Sequence, residues 1–299
     1  MLRNMIFVLL ARLLIACLLT GSVALSVSGQ SHDREDLRVD VGGAVLNVTA
    51  WGQGESVVLI SGAGGSAGDY EVLGPALAAK GFRVFAVNAR GVRGSSGSLE
   101  SLTLHDYAKD VARLIDRVGA GRAHVFGPAV GGRIARCVAT DFPQQAATVT
   151  VVAAGGKVPG DPEASAAVER YFNDAAITRE ELRQIAQSAL LAPGSDPSTL
   201  LAARENWAAA RAAVARASLA TPVDDWWLGG RVPMLVIQGR NDRVAPVANG
   251  RLLKEAAPGR VTLVELENTG HMAVFERPTE VVAAAVEFWR RHPIGVSKP

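Results

Sequence analysis

The sequence predicts an α/β fold: a mostly parallel, doubly wound, eight-stranded sheet with helices on both faces and a helical cap inserted late in the chain. Three observations predict it. Short apolar runs alternate with segments of helical spacing along most of the 299 residues. Several of those runs end in glycine-rich turns. Residues 155–231 break the alternation, being Ala-rich, helical in pattern and without a convincing strand.

The first element is an address. Arg3 gives a short basic start, residues 6–19 are apolar apart from Arg12, and Val27, Ser28 and Gly29 supply small residues before a cut. Residues 31–36 are then abruptly polar. Residues 1–29 therefore read as a signal peptide, which implies an exported protein, periplasmic or secreted. An uncleaved membrane anchor through residues 6–27 is the alternative.

Residues 37–41 and 44–51 alternate apolar and polar side chains around Gly42 and Gly43, a hairpin signal. Residues 57–60 form a continuous apolar run, as in a strand buried on both faces. Ser61, Gly62, Ala63, Gly64, Gly65 and Ser66 follow. Residues 73–80 read as a helix ended by Gly81, and residues 83–87 as the next strand. Within residues 103–118, Leu104, Tyr107, Val111, Leu114, Ile115 and Val118 share one helix face. A short strand at 125–126 runs into Gly127, Pro128, Ala129, Val130, Gly131 and Gly132, then a helix to about Phe142. Residues 149–153, 234–238 and 261–266 complete the strands, and residues 279–291 the helices.

The predicted division is thus a core of residues 37–154 and 232–292, and a cap of residues 155–231 with helical stretches near 163–172, 179–190 and 199–219. The cap holds three of the five tryptophans, Trp207, Trp226 and Trp227. They either pack the cap onto the core or line a pocket beneath it.

Composition narrows the function classes. With 48% hydrophobic, 20% charged and 5% aromatic residues, the chain is not disordered, collagenous or a coiled coil. With Arg3 and Arg12 set aside, basic and acidic residues balance at 29 each. Such a chain has no electrostatic footprint for nucleic acid. Only Cys137 of the two cysteines lies in the body, which excludes an intramolecular disulfide and a cysteine-based zinc site there. The Gly62–Ala67 stretch lacks the third glycine of a dinucleotide loop, and no acidic residue ends the next strand. No cofactor or metal is called for, and the expected partner is a small-molecule substrate or ligand.

Five stretches, in order and spacing, resemble the α/β-hydrolase fold family over residues 37–291. Ile60 to Gly64 sits where the family has its His-Gly oxyanion loop. Asn88 to Ser96 is similar to its D-x-R-G-x-G-x-S stretch, with Asn88 for Asp. Gly127 to Gly132 occupies the place of the nucleophile elbow, G-x-S-x-G-G. Gly239, Arg240, Asn241 and Asp242 resemble the acid turn, and Asn268, Thr269, Gly270 and His271 the histidine loop.

The elbow departs from that pattern. Gly127, Gly131 and Gly132 keep the tight turn, but the nucleophile position is Ala129, which has no atom able to form a covalent intermediate. Pro128 precedes it and donates no hydrogen bond. The resemblance then implies Asp242 and His271 as the second and third members, with His271 a proton acceptor oriented by Asp242. Ala63 N–H and Val130 N–H are the implied oxyanion hole. Ser61 and Gly62 are candidate substrate contacts. Ser61 is also the best candidate for a substitute nucleophile, against a turn hydrogen bond. Cys137 reads as a small core residue. His105 reads as a helix-start residue, His124 as a strand residue, and His32 and His292 lie near the ends.

Two readings follow. One is an enzyme, hydrolase-like or alternatively a lyase or cofactor-free oxygenase, that uses general-base chemistry worth roughly 10²–10⁴-fold. Each oxyanion donor would add roughly 10²–10³-fold. The other is a non-catalytic ligand-binding pseudo-hydrolase.

Overall fold

The computed structural model describes residues 34–174, 176–205 and 207–295. The signal peptide or anchor expected at residues 1–29, and His32, lie outside them. Among the described residues, no helix is long and apolar enough to cross a membrane.

One sheet organises the chain. Its strands are β1 (Glu35–Asp40), β2 (Ala44–Trp51), β3 (Glu55–Ile60), β4 (Phe82–Val87), β5 (Ser96–Gly97), β6 (Ala123–Pro128), β7 (Ala146–Val152), β8 (Met234–Gly239) and β9 (Val261–Leu266). In space they run β1-β2-β4-β3-β6-β7-β8-β9, with β5 beside β2. The first two pairings are antiparallel. Every pairing from β4 across to β9 is parallel. All eight expected strands are present. The ninth, β5, is two exposed residues long and leaves no periodic signal.

The apolar run of β3 serves both faces. Val58 and Ile60 join the core under helices Leu104–Arg117 and Val130–Asp141. Val57 and Leu59 join the opposite core under helices Leu73–Ala78 and Pro278–Arg291. Helix starts follow local chemistry. Thr103 precedes its helix and forms a capping box with Asp106. Pro278 opens the last helix, where its missing N–H costs nothing.

Strand β6 is longer than the expected 125–126. His124 is buried and pairs its Nδ1 with Thr148 Oγ1 at 2.9 Å, so a polar residue continues the strand. Gly127 and Pro128 still align with Val151 and Val152 of β7.

Between β7 and β8 the described residues form helices Pro162–Asn173, Arg179–Ile185, Ser198–Ala203, Ala208–Ala220 and Val223–Trp226, with a π-helical turn at Ala186–Leu190. The single stretch expected at 199–219 is thus two helices, broken near Arg204. This insertion has its own small core around Tyr171, Ile185, Leu190 and Leu200. Trp226 and Trp227 are buried and flank the guanidinium of Arg136, at 4.4 and 5.6 Å from their ring centroids. Arg136 is fully buried and donates to Gly155 O at 2.9 Å and Trp227 O at 3.4 Å. These two tryptophans are packing residues, and Trp207 donates to Glu205 at 2.9 Å.

Candidate active site

The elbow forms as its glycines dictate. A Cβ on Gly127 would lie 2.2 Å from Gly131 C, and one on Gly131 would lie 2.3 Å from Ile60 O. On Gly132 it would lie 2.6 Å from Val151 Cγ1. Only bare backbone permits so tight a passage from β6 into the next helix. Ala129 sits at the apex with φ 47° and ψ −115°, a strained conformation for an L-residue that costs roughly 1–3 kcal/mol. Its N–H donates to Val152 O at 2.9 Å, and its carbonyl accepts from Gly132 N–H at 3.1 Å. The strained turn is kept although the side chain it presents is a methyl group.

The loops after β8 and β9 bring Asp242 to His271, 29 positions apart. His271 Nδ1 lies 3.0 and 3.1 Å from the two carboxylate oxygens of Asp242. Asp242 Oδ1 also accepts from Val244 N–H at 2.9 Å and Ala245 N–H at 2.7 Å. An ionised carboxylate only accepts, so Nδ1 carries the hydrogen and Nε2 is left as an acceptor. The two loops pack backbone on backbone: a Cβ on Gly239 would lie 2.4 Å from both Thr269 O and Gly270 O.

The helical insertion fixes the histidine loop from above. His271 N–H donates to Leu190 O at 2.7 Å. A Cβ on Gly270 would lie 2.6 Å from that same oxygen. Glu276 accepts from Gly270 N–H at 2.9 Å with one oxygen, and from Ala192 N–H at 2.8 Å and Ser195 Oγ at 3.0 Å with the other.

Ala129 and His271 line one cavity of about 620 Å³, together with Gly62, Ala63 and Pro128. Its apolar wall includes Tyr171, Phe172, Leu200, Val244, Met272 and Phe275. Trp207, Trp226 and Trp227 are not in its lining. Ala63 N–H and Val130 N–H have no acceptor among the described residues. Val130 opens a helix, so its N–H has no intrahelical partner by construction. Its side chain faces a separate cavity of about 40 Å³.

Ser61 lies apart from the cavity that holds His271. Its hydroxyl donates to Ser66 O at 2.7 Å, and the residue lines the small cavity rather than the one holding His271. Its hydroxyl makes the turn hydrogen bond that the sequence also allowed, and Gly62 borders both cavities. Cys137 is buried, and burial pushes its thiol up to about 12. His105 sits 2.6 Å from Asp141 at the protein surface. Asn88 explains why Asp is dispensable there: its Oδ1 accepts from Ala67 N–H at 2.8 Å while its Nδ2 donates to Asn47 O at 3.0 Å.

The sequence reading missed the charged residues of the cavity wall, Asp69, Arg204 and Arg211 among them. Asp69 borders the glycine loop, and burial, with Glu205 adding to it, pushes its carboxyl up to about 7 against the Ser66 N–H and Arg93. Arg204 and Arg211 come from the insertion. Asp69 is concealed by its position in a capping box with Ser66. The arginines lie in an Ala-rich helical stretch where isolated charges read as solvated.

A family model described as the alpha/beta hydrolase family matches residues 57–285. A protein of Variovorax paradoxus described as a carbamate hydrolase is 36% identical over 105 residues, 35% of this chain and 40% of that protein. The match therefore spans less than half the length of that relative. The 2-hydroxy-6-oxo-6-phenylhexa-2,4-dienoate hydrolase of Comamonas testosteroni is 26% identical over 272 residues, 84% of this chain and 93% of that enzyme. The solved structure of a hydrolase with the same name, from Rhodococcus sp. strain RHA1, superposes with a TM-score of 0.72 at 19% identity. It covers 87% of this chain and 100% of that one, a likeness of fold.

Proposed function

Because the chain belongs to the alpha/beta hydrolase family, we propose that it is a hydrolase-like enzyme acting on a small, largely apolar ester or carbonyl substrate without a covalent serine intermediate. The observation that carries this reading is the Asp242–His271 pair opening onto the cavity that Ala129 also lines. His271 Nε2 takes a proton from water, and the water oxygen attacks the substrate carbonyl carbon. The carbonyl electron pair moves onto oxygen, which accepts from Ala63 N–H and Val130 N–H. Collapse of that adduct breaks the bond to the leaving group, which takes the proton back from His271. Asp242 holds the ring in one tautomer and stabilises its charged form. The methyl of Ala129 reaches less far than a hydroxyl side chain, which leaves space for that water at the elbow.

Relatives named as hydrolases support the coarse activity. A second reading, a non-catalytic ligand-binding protein, is favoured by Ala129 itself, since the ordinary acyl-enzyme route needs an atom it lacks.

Turnover of p-nitrophenyl acetate and butyrate separates the two. The expected result is slow hydrolysis by the wild type and a loss of roughly 10²–10⁴-fold in His271→Ala. Ala129→Ser alone is expected to add little. A serine here must also match Pro128 and reach His271, and a misplacement of about 1 Å can cost roughly 10²-fold. Unchanged activity in His271→Ala removes the general-base reading. No activity on any ester or carbonyl substrate favours the binding protein. Strong His271-dependent turnover in Ala129→Ser marks a hydrolase lacking only its nucleophile.

A further inference from the structure

Three guanidinium groups of the helical insertion line the cavity; Arg216 is exposed and donates to Leu99 O at 3.4 Å, which leaves Arg204 and Arg211. Arg211 is 7% exposed, lies on helix Ala208–Ala220 and lines the cavity beside Gly64. A Cβ on Gly64 would lie 3.1 Å from Arg211 Cδ and 3.5 Å from Nη1. The side chain therefore rests against the glycine loop that carries Ala63 N–H. Arg204 lines the same cavity, and its Nε is buried without a hydrogen-bond partner. Neither makes an ion pair among the described residues, and Arg211 is held down by burial and by the charge of Arg204, against the charge of Glu169.

Structural duty accounts for a small part of these donors. Arg211 Nε donates to Asn173 Oδ1 at 3.0 Å, and Arg204 Nη2 to Tyr171 O at 3.1 Å. Both contacts sit at the end of helix Pro162–Asn173, where cations suit the helix dipole. A guanidinium has five N–H donors, so most of each fork stays free. The Tyr171 hydroxyl is also buried without a partner and lines the same wall.

Acids line the same cavity, but among the described residues none forms an ion pair with either arginine. Glu205 is bound to Arg93. Glu169 is exposed and accepts from Asn173 Nδ2 at 2.9 Å. Asp69 borders the glycine loop, where burial favours its neutral form. Two cations, one nine-tenths buried, thus face a cavity whose own acids are bound to Arg93, exposed to solvent or favoured neutral, and neither cation forms an ion pair among the described residues. Leaving charge in that state is costly, and a planar fork is suited to a carboxylate.

We propose that the ligand of this cavity carries a carboxylate, held by Arg211 and Arg204, with its apolar body along the aromatic and aliphatic wall. The proposal rests on the reading of this cavity as the substrate site and names the class of substrate: a carboxylic acid bearing a second, hydrolysable carbonyl group. The carboxylate would be engaged from the insertion while the reacting carbonyl faces Ala63 N–H, Val130 N–H and His271.

The test measures binding, so it does not depend on turnover. Isothermal titration of the full protein with phenylacetate and 4-phenylbutyrate, each against its own uncharged amide, is the first arm. The acids are expected to bind at least about ten-fold more tightly than the amides, a difference of about 1.4 kcal/mol. The preference is expected to shrink in Arg204→Gln and in Arg211→Gln, to persist in part in Arg211→Lys, and to survive in His271→Ala. Melting curves check that each variant folds. Should Arg211→Gln not fold, the wild-type comparison and Arg204→Gln still decide. Equal binding of acid and amide, no binding of either acid at millimolar concentration, or an acid preference intact when both arginines are replaced would each overturn the proposal. An acid preference in a protein without esterase activity would uphold it while the hydrolytic reading fails.

Discussion

Ala129 and Asp69 show how much of a site a single residue can hide or reveal. Ala129 is legible because its neighbours are glycines whose spacing only a tight elbow requires, and the structure places it at the strained apex. Asp69 is not legible, because a residue three positions after Ser66 reads equally well as a helix-start partner, which it also is. Its consequence is measurable. A carboxyl raised to about 7 in the folded state holds its proton where the unfolded chain, near 3.8, has lost it. Its contribution to stability is therefore present at low pH and falls as pH rises between those values, by at most about 1.4 kcal/mol per unit. His124 acts in the opposite sense. Burial depresses it to about 3, so stability falls as pH drops from 6.5 towards that value. The two slopes oppose each other where the windows overlap. Asp69→Asn is expected to remove one and expose the other, so that urea midpoints rise more steeply with pH in the variant than in the wild type. Parallel profiles would contradict this assignment for Asp69.

At the scale of elements, the loop after β9 depends on a partner that sequence order conceals. Gly270 and His271 are recognisable as a motif, but the oxygen that accepts the His271 N–H belongs to Leu190, in a π-helical turn that no periodicity announces. Glu276 joins the same loop to Ala192 and Ser195. Its two oxygens serve two backbone N–H groups, whereas a glutamine offers one acceptor oxygen. Glu276→Gln is accordingly expected to lower the unfolding free energy by roughly 1–3 kcal/mol, as for a buried donor left unsatisfied. Urea denaturation followed by tryptophan fluorescence reads this directly, and an unchanged midpoint would show that the clamp is dispensable. Elements with strong periodicity were legible to within a few residues, β3 and helix Leu104–Arg117 among them. The break near Arg204 was not, since Ala-rich sequence favours helix on either side of it.

Across the whole molecule, Arg136 joins what the chain separates. Its guanidinium reaches Gly155 O at the start of the insertion and Trp227 O near its end, while its own helix follows the elbow. Arg136→Met is expected to destabilise the protein by about 2–4 kcal/mol, since it leaves two carbonyls without their charged donor and opens space between Trp226 and Trp227. Hydrogen exchange should quicken together near residues 155–160 and 223–230, and quickening at one end alone would refute a joint clamp. Sheet order and helix layers were readable in advance because strand patterning is local. The cavity was not, because its walls come from six separate stretches of chain. The bonds from Leu190 and Glu276 also bear on how such a protein can change over generations. A block exchange of residues 155–231 would have to place a backbone carbonyl where Leu190 O now meets the His271 N–H, and it would replace Arg204 and Arg211 at the same time. Replacing single side chains along the existing helices leaves that main-chain bond in place, whereas a grafted roof must rebuild it.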